Sequence, residues 1–152
     1  MKIILDDALD NKLGDELKTY LLEQIGITDV NFNVTDKSFI TELNIKFNNQ
    51  TSPIIIMKYI DLFQKYDYPI ILEFDKENDG IYKKLKYMVE DMCCEYCYKG
   101  FVKELYENNN IKSVKSNFEF DKPAFNIEFI IEYNENCNKQ EIIKYIKDKL
   151  NY

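Results

Sequence analysis

Tyr87-Met88-Val89-Glu90-Asp91-Met92-Cys93-Cys94-Glu95-Tyr96-Cys97 reads as an extended run that turns into a helix at a pair of thiols, Cys94 and Cys97. Two thiols three residues apart at such a turn point the same way, so one soft metal ion bridges both without moving the backbone. Three of the four cysteines (Cys93, Cys94, Cys97, Cys137) crowd this turn. That crowding suits metal or thiol chemistry better than a structural disulfide framework.

Working outward, residues 1 to 50 lie over residues 85 to 134 with a constant offset of 84, the signature of an internal repeat. Ile3 and Leu5 fall on Tyr87 and Val89, Leu17 and Leu21 on Phe101 and Leu105, Gly26-Ile27 on Asn110-Ile111, and Val30 on Val114. In the first half Lys2 to Asp6 reads as a strand, and Leu13, Leu17, Tyr20, Leu21 and then Gln24-Ile25 as a helical stripe. Val30 to Val34 and Thr41 to Phe47 alternate strictly, which predicts a half-buried hairpin. Ser52-Pro53 caps and opens a helix to about Phe63, and Pro69 to Phe74 is the closing strand.

The second half repeats the order: strand Tyr82 to Glu90, helix Cys94 to Asn108, strands Ile111 to Phe120 and Phe125 to Tyr133. A last helix opens at Asn138 with Glu141 three residues on, and presents Ile142, Ile143, Ile146 and Leu150 to a core. No residues remain for a closing strand. The expected fold is α+β, two tandem ferredoxin-like βαββαβ repeats (1–77 and 78–152), the second lacking its last strand. Asp79-Gly80 is a two-residue hairpin signal, so the strand ending at Phe74 is expected to turn directly into Tyr82 to Glu90 and fill the vacant edge slot. Two arrangements fit the pattern. One is a continuous antiparallel sheet of seven strands; the other is two sheets whose open edge serves a homodimer.

Composition removes whole classes of site. Among 152 residues there is no His, no Trp and no Arg, so imidazole bases, His-ligated zinc and guanidinium forks are excluded within the chain. A net charge of −7 argues against nucleic-acid binding. No apolar run reaches the length of a membrane span, and the acidic turn at Asp6-Asp7 comes too soon for a signal peptide, so the expected compartment is the cytoplasm, with reduced thiols.

Met92-Cys93-Cys94-Glu95-Tyr96-Cys97 resembles the Met-Thr-Cys-x-x-Cys turn of heavy-metal-associated domains, found as copper chaperones and as modules of metal-pumping ATPases. Val89-Glu90, Phe101, Leu105 and Ile111-Lys112-Ser113-Val114 extend the resemblance over about residues 84 to 151. Gly26-Ile27-Thr28-Asp29-Val30 carries it more faintly in the first half, where Asp10 and Leu13 stand at the two thiol positions, so that half lacks the family's ligands. Three departures stand out: Asp91 occupies the family's Gly position, Cys93 its Thr position, and the strand after the second helix is missing. The resemblance implies a soft ion on Cys94 and Cys97, with Cu(I) first and Zn(II) or another divalent ion next. It also implies a metal-transporting ATPase or other metal acceptor as partner. Tyr152 is a candidate for the aromatic that the family places beside its thiols.

Cys93 admits two readings, a third sulfur ligand or a spare thiol in or near the core, because neighbours on a strand point oppositely. Cys137 falls at the opposite pole and reads as a free surface thiol. Met92 and the stripe of Tyr59 with Phe63 read as packing. Three functions therefore stand open: a non-enzymatic soft-metal carrier, a thiol-disulfide redox protein using the same pair, and a non-catalytic interaction module that has relaxed the chemistry.

Overall fold

The computed structural model describes residues 1–5, 11–35, 40–63, 71–119 and 126–150. They form β1 (Lys2–Leu5), α1 (Asn11–Leu22), β2 (Ile27–Thr35), β3 (Ile40–Phe47), α2 (Pro53–Phe63), β4 (Ile71–Asp75), β5 (Tyr82–Val89), α3 (Glu95–Glu107), β6 (Ile111–Ser116), β7 (Ile127–Asn134) and α4 (Lys139–Leu150). The chain divides into two compact units, Met1–Leu72 and Glu73–Tyr152. The α+β, ferredoxin-like βαβ-β-α order is present in each. Asp6, Asp7, Asp10, Pro69, Phe120, Phe125 and Tyr152, which entered the sequence expectations, lie outside the described residues. Among the described residues no helix is long and apolar enough to cross a membrane.

In the first unit β3 is flanked by β1 and β2, both antiparallel to it, in registers Lys2↔Asn44 to Leu5↔Thr41 and Ile27↔Phe47 to Thr35↔Ile40. Alternation along β3 buries Thr41, Leu43 and Ile45 on one face, as the period-2 pattern requires. Leu17 and Leu21 of α1, with Ile56 and Ile60 of α2, bury almost completely into the same core. The α1 stripe stops earlier than expected: the helix ends at Leu22 and Ile25 is 70% exposed. Gly26 at φ +88° makes the turn out, where a Cβ would meet Thr51 at 2.9 Å. At α2, Ser52 acts as the expected cap, its Oγ accepting the Ile55 N–H at 3.4 Å.

In the second unit the strand order is β4-β6-β7-β5. β5 and β7 pair antiparallel from Tyr82↔Asn134 to Val89↔Ile127, and β6 pairs with the other side of β7. Phe101, Val102 and Leu105 of α3 and Ile142 and Ile146 of α4 bury fully, with Phe101 edge-on to Phe129 of β7 at 5.1 Å. Ile143 and Leu150, expected on the buried face of α4, are only half-buried. Asn138 caps that helix through its Oδ1, which accepts the Gln140 N–H at 2.9 Å.

The placement of β4 corrects the hairpin expectation. β4 does not fold back onto β5; Phe74 and Asp75 pair with Val114 and Ser113 of β6, and the Lys76 N–H continues the ladder to the Lys112 carbonyl at 3.0 Å. The anchor is Phe74, 2% exposed and edge-on to Tyr106 of α3 at 4.8 Å. Residues 76–81 form a longer connection, with Glu77 at φ +51° and its N–H bonded to Asp75 Oδ1 at 2.8 Å, and this turns the chain away from a tight hairpin. Asp79-Gly80 thus marks a turn within a crossing segment. β5 is left with β7 as its neighbour in the strand order, and its Lys83, Lys84 and Lys86 are exposed, a composition that discourages edge-to-edge pairing.

Candidate metal centre

The turn between β5 and α3 positions three thiols. Val89 ends β5 buried, Glu90 and Asp91 are exposed, and Asp91 takes the left-handed φ of +56°. This is the position where the resembling domains carry Gly, the residue with no steric objection to that conformation. The reversal drives Met92 inward, 5% exposed, and sends Cys93 and Cys94 out to solvent. Met92 is accordingly a packing residue beneath the turn.

Cys94 is the N-cap of α3, extended at φ −164°, ψ 167°, and its carbonyl accepts the Tyr98 N–H at 3.2 Å. Cys97, half-buried, sits in the first turn of the same helix. The sulfurs of Cys94 and Cys97 are 3.4 Å apart, those of Cys93 and Cys97 3.0 Å, and those of Cys93 and Cys94 3.8 Å. Residues 90–94 are not strand, so the alternation that set Cys93 against its neighbour does not apply. Cys93 is exposed and faces the other two, which removes the reading of a core thiol. Among the described residues these three form the one group of Cys, Asp, Glu or His able to surround an ion, with all ligand atoms within 4.8 Å.

The electrostatics differ between the two helical thiols. No capping hydrogen bond of full geometry closes on Cys94, yet the Cys97 N–H faces its sulfur. That N–H, the Cys97 thiol, and then Cys93 and the Tyr96 N–H hold the Cys94 thiol below its usual pKa. Hydrogen bonds with Cys93 and Cys94, then burial, push the Cys97 thiol up to about 12. Lys99, two residues on, is 8% exposed, pairs with Glu95 one helical turn back, and lies over the Tyr96 ring at 5.8 Å. It sets one positive charge beside an otherwise acidic turn. The i,i+4 spacing of Glu95 and Lys99 is the sequence signal of this pair.

Cys137 stays apart. β7 is eight residues long, about 25 Å of strand, and the thiol turn follows the Val89↔Ile127 end while Cys137 follows the Asn134 end. Its Sγ lies 3.5 Å from Glu141 Oε2, and burial, with that carboxylate, raises its pKa. The Asp10 counterpart of the thiol position and Tyr152 lie outside the described residues.

Compared with known proteins, the sequence matches no protein-family profile and no curated protein. Among solved structures, the solution structure of the N-terminal soluble domains of Bacillus subtilis CopA is similar at a TM-score of 0.36 and 17% identity, over 100% of this chain and 90% of that one.

Proposed function

We propose that this chain is a soft-metal-binding module whose second unit takes one thiophilic ion, Cu(I) or a divalent ion such as Zn(II) or Cd(II), on the thiols of the β5–α3 turn and passes it on without catalytic turnover. The observation that carries the reading is three sulfurs within 4.8 Å of one another at an exposed helix N-terminus. An ion bound there displaces thiol protons, and the N–H groups at the head of α3 favour the thiolate that remains. Two of the three thiols are exposed, so an acceptor's thiolate can reach the ion and take it by ligand exchange. By resemblance to heavy-metal-associated domains, the acceptor is a metal-transporting ATPase or another cytoplasmic metal protein. The first unit has Leu13 at one thiol position and acts in this reading as a structural or docking repeat.

The reduced chain should be titrated anaerobically with Cu(I) and, separately, Zn(II) against a competing chelator. One tight equivalent that Cys94→Ser abolishes, with the fold retained, supports carriage. Binding no stronger than that of the Ser variant sinks it. The Cys94–Cys97 separation of 3.4 Å also favours a second reading, thiol-disulfide exchange. A reduction potential close to that of cytosolic thiol pools, in a chain that fails the metal titration, would select it.

A further inference from the structure

The triangle of sulfurs carries more than the presence of a site. We infer that Cys93, Cys94 and Cys97 together hold a divalent soft ion, Zn(II) or Cd(II), as a three-sulfur site open at its fourth position, in preference to Cu(I) held between two sulfurs. The inference rests on the metal-binding reading above and specifies its coordination number and ion class.

The first argument is geometric. With metal–sulfur bonds of about 2.3 Å, two sulfurs on a tetrahedral ion are about 3.8 Å apart, on a trigonal ion about 4.0 Å, and on a linear two-coordinate ion about 4.6 Å. The three separations here are 3.0, 3.4 and 3.8 Å. The set opens to a tetrahedral face when the Cys94–Cys97 sulfurs part by about 0.4 Å and the Cys93–Cys97 sulfurs by about 0.8 Å. A linear ion on Cys94 and Cys97 requires those sulfurs to part by about 1 Å. The backbone of Cys94 is held as the N-cap of α3, its carbonyl accepting the Tyr98 N–H, and that of Cys97 by the helix itself, so the smaller adjustment is the one the backbone allows.

The second argument is charge. Three thiolates leave a divalent ion with a net charge of −1 and Cu(I) with −2. Around them stand exposed Glu90, Asp91 and Glu95, with Lys99 as the cation within the same helical turn and already engaged with Glu95. An acidic surround disfavours the more negative complex, so it confines Cu(I) to two thiolates, at the same net −1, and lets a divalent ion keep all three. Third, Cys93 and Cys94 are exposed while Cys97 is half-buried, so the open fourth position of the triangle is on the solvent side. A tetrahedral ion completes its shell there with water or with an acceptor's thiolate, the arrangement of an exchangeable rather than a closed site.

The test uses the reduced full chain, its Cys93→Ser, Cys94→Ser and Cys97→Ser variants, and two probes, Cd(II) and Cu(I), each against a competing chelator, with X-ray absorption counting sulfurs on the bound Cd(II). The expected result is three sulfurs in the parent chain and two in Cys93→Ser, with Cd(II) affinity falling by more than about tenfold and Cu(I) affinity moving by less than about threefold. Two sulfurs in the parent chain, or a Cd(II) affinity that Cys93→Ser leaves unchanged, overturns the three-sulfur site while the Cys94–Cys97 reading stands. Binding of neither ion beyond that of Cys94→Ser overturns both. Cys93 is exposed, so its Ser variant is expected to fold, and an unchanged amide spectrum verifies it.

Discussion

The ammonium of Lys76 donates to the backbone carbonyl of Asn108 at 2.9 Å, at the C-cap of α3. The side chain is buried, 2% exposed, between the rings of Phe74 and Tyr106 at 5.5 and 5.1 Å. A helix C-terminus and two ring faces favour the cation, but desolvation outweighs them and lowers its pKa to about 8. In the unfolded chain the same group titrates near 10.4. Between these values the unfolded state binds more protons than the folded state, so stability rises with pH from about 8 and levels off above 10.4. The full rise is on the order of 3 kcal/mol. Tyr98, whose pKa burial raises, works the other way once unfolded tyrosines ionise near pH 10. Cys97 and Cys137, also held up in the folded chain, oppose the climb once unfolded thiols ionise near 8.5, so the Lys76 contribution is the difference between the urea-midpoint slopes of the parent chain and of Lys76→Met over about pH 8 to 9.5. Lys76→Met should flatten the climb; an equal slope in that variant would assign it elsewhere.

Asp91 at φ +56° stands immediately before buried Met92. An acid tolerates the left-handed region better than most residues, and Gly better still. Asp91→Gly is expected to leave stability unchanged or raise it by up to about 1 kcal/mol, and Asp91→Val to cost about 1–2 kcal/mol. Chemical denaturation of the two variants decides it, and a Val variant as stable as the Gly one would show that the turn relaxes out of this conformation.

Phe74 fastens β4 to the second unit. Truncation to Ala removes a ring 2% exposed and leaves a cavity against Tyr106, a loss of about 3–5 kcal/mol. The amide of Lys76, which closes the ladder onto Lys112, is expected to exchange with solvent much sooner in that variant. Unaltered protection at Lys76 would mean that backbone pairing alone holds the strand.

Much of this architecture is legible in the residues. Alternation at Thr41, Leu43 and Ile45 and the Ser52-Pro53 cap each express a local rule that the fold obeys, so strands and helices fall close to where the sequence puts them. The misreadings arise where tertiary partners decide. Asp79-Gly80 has hairpin chemistry, but the aromatic contact of Phe74 with Tyr106 and the ladder onto β6 draw β4 to the far side of its unit. Gln24 and Ile25 continue a periodic stripe past the point where Gly26 has to turn the chain. At the site, Cys94 and Cys97 follow from their spacing. Cys93 depends on a left-handed Asp91 that breaks the strand before the thiols, and the sequence offers as its signal only an acid where the resembling domains carry Gly.

The unequal protonation of Cys94 and Cys97 can be read without metal. The Cys97 N–H and the contact with the Cys97 thiol hold Cys94 below its usual pKa, while hydrogen bonds with Cys93 and Cys94 push Cys97 up to about 12. Since the thiolate is the nucleophile, iodoacetamide at neutral pH is expected to modify Cys94 well before Cys97. The order should be read by peptide mass spectrometry of the reduced chain. As pH rises the Cys94 rate levels off first, while the Cys97 rate keeps increasing into strongly alkaline solution. Exposure acts in the same direction, since Cys94 is exposed and Cys97 half-buried, but it does not change with pH, so the pH at which each rate levels off separates the two causes; in a urea-unfolded control the thiols should react alike. Equal rates in the folded chain would show that the sulfurs do not hold the 3.4 Å contact in solution, and would remove the preorganisation on which tight metal binding at this turn depends.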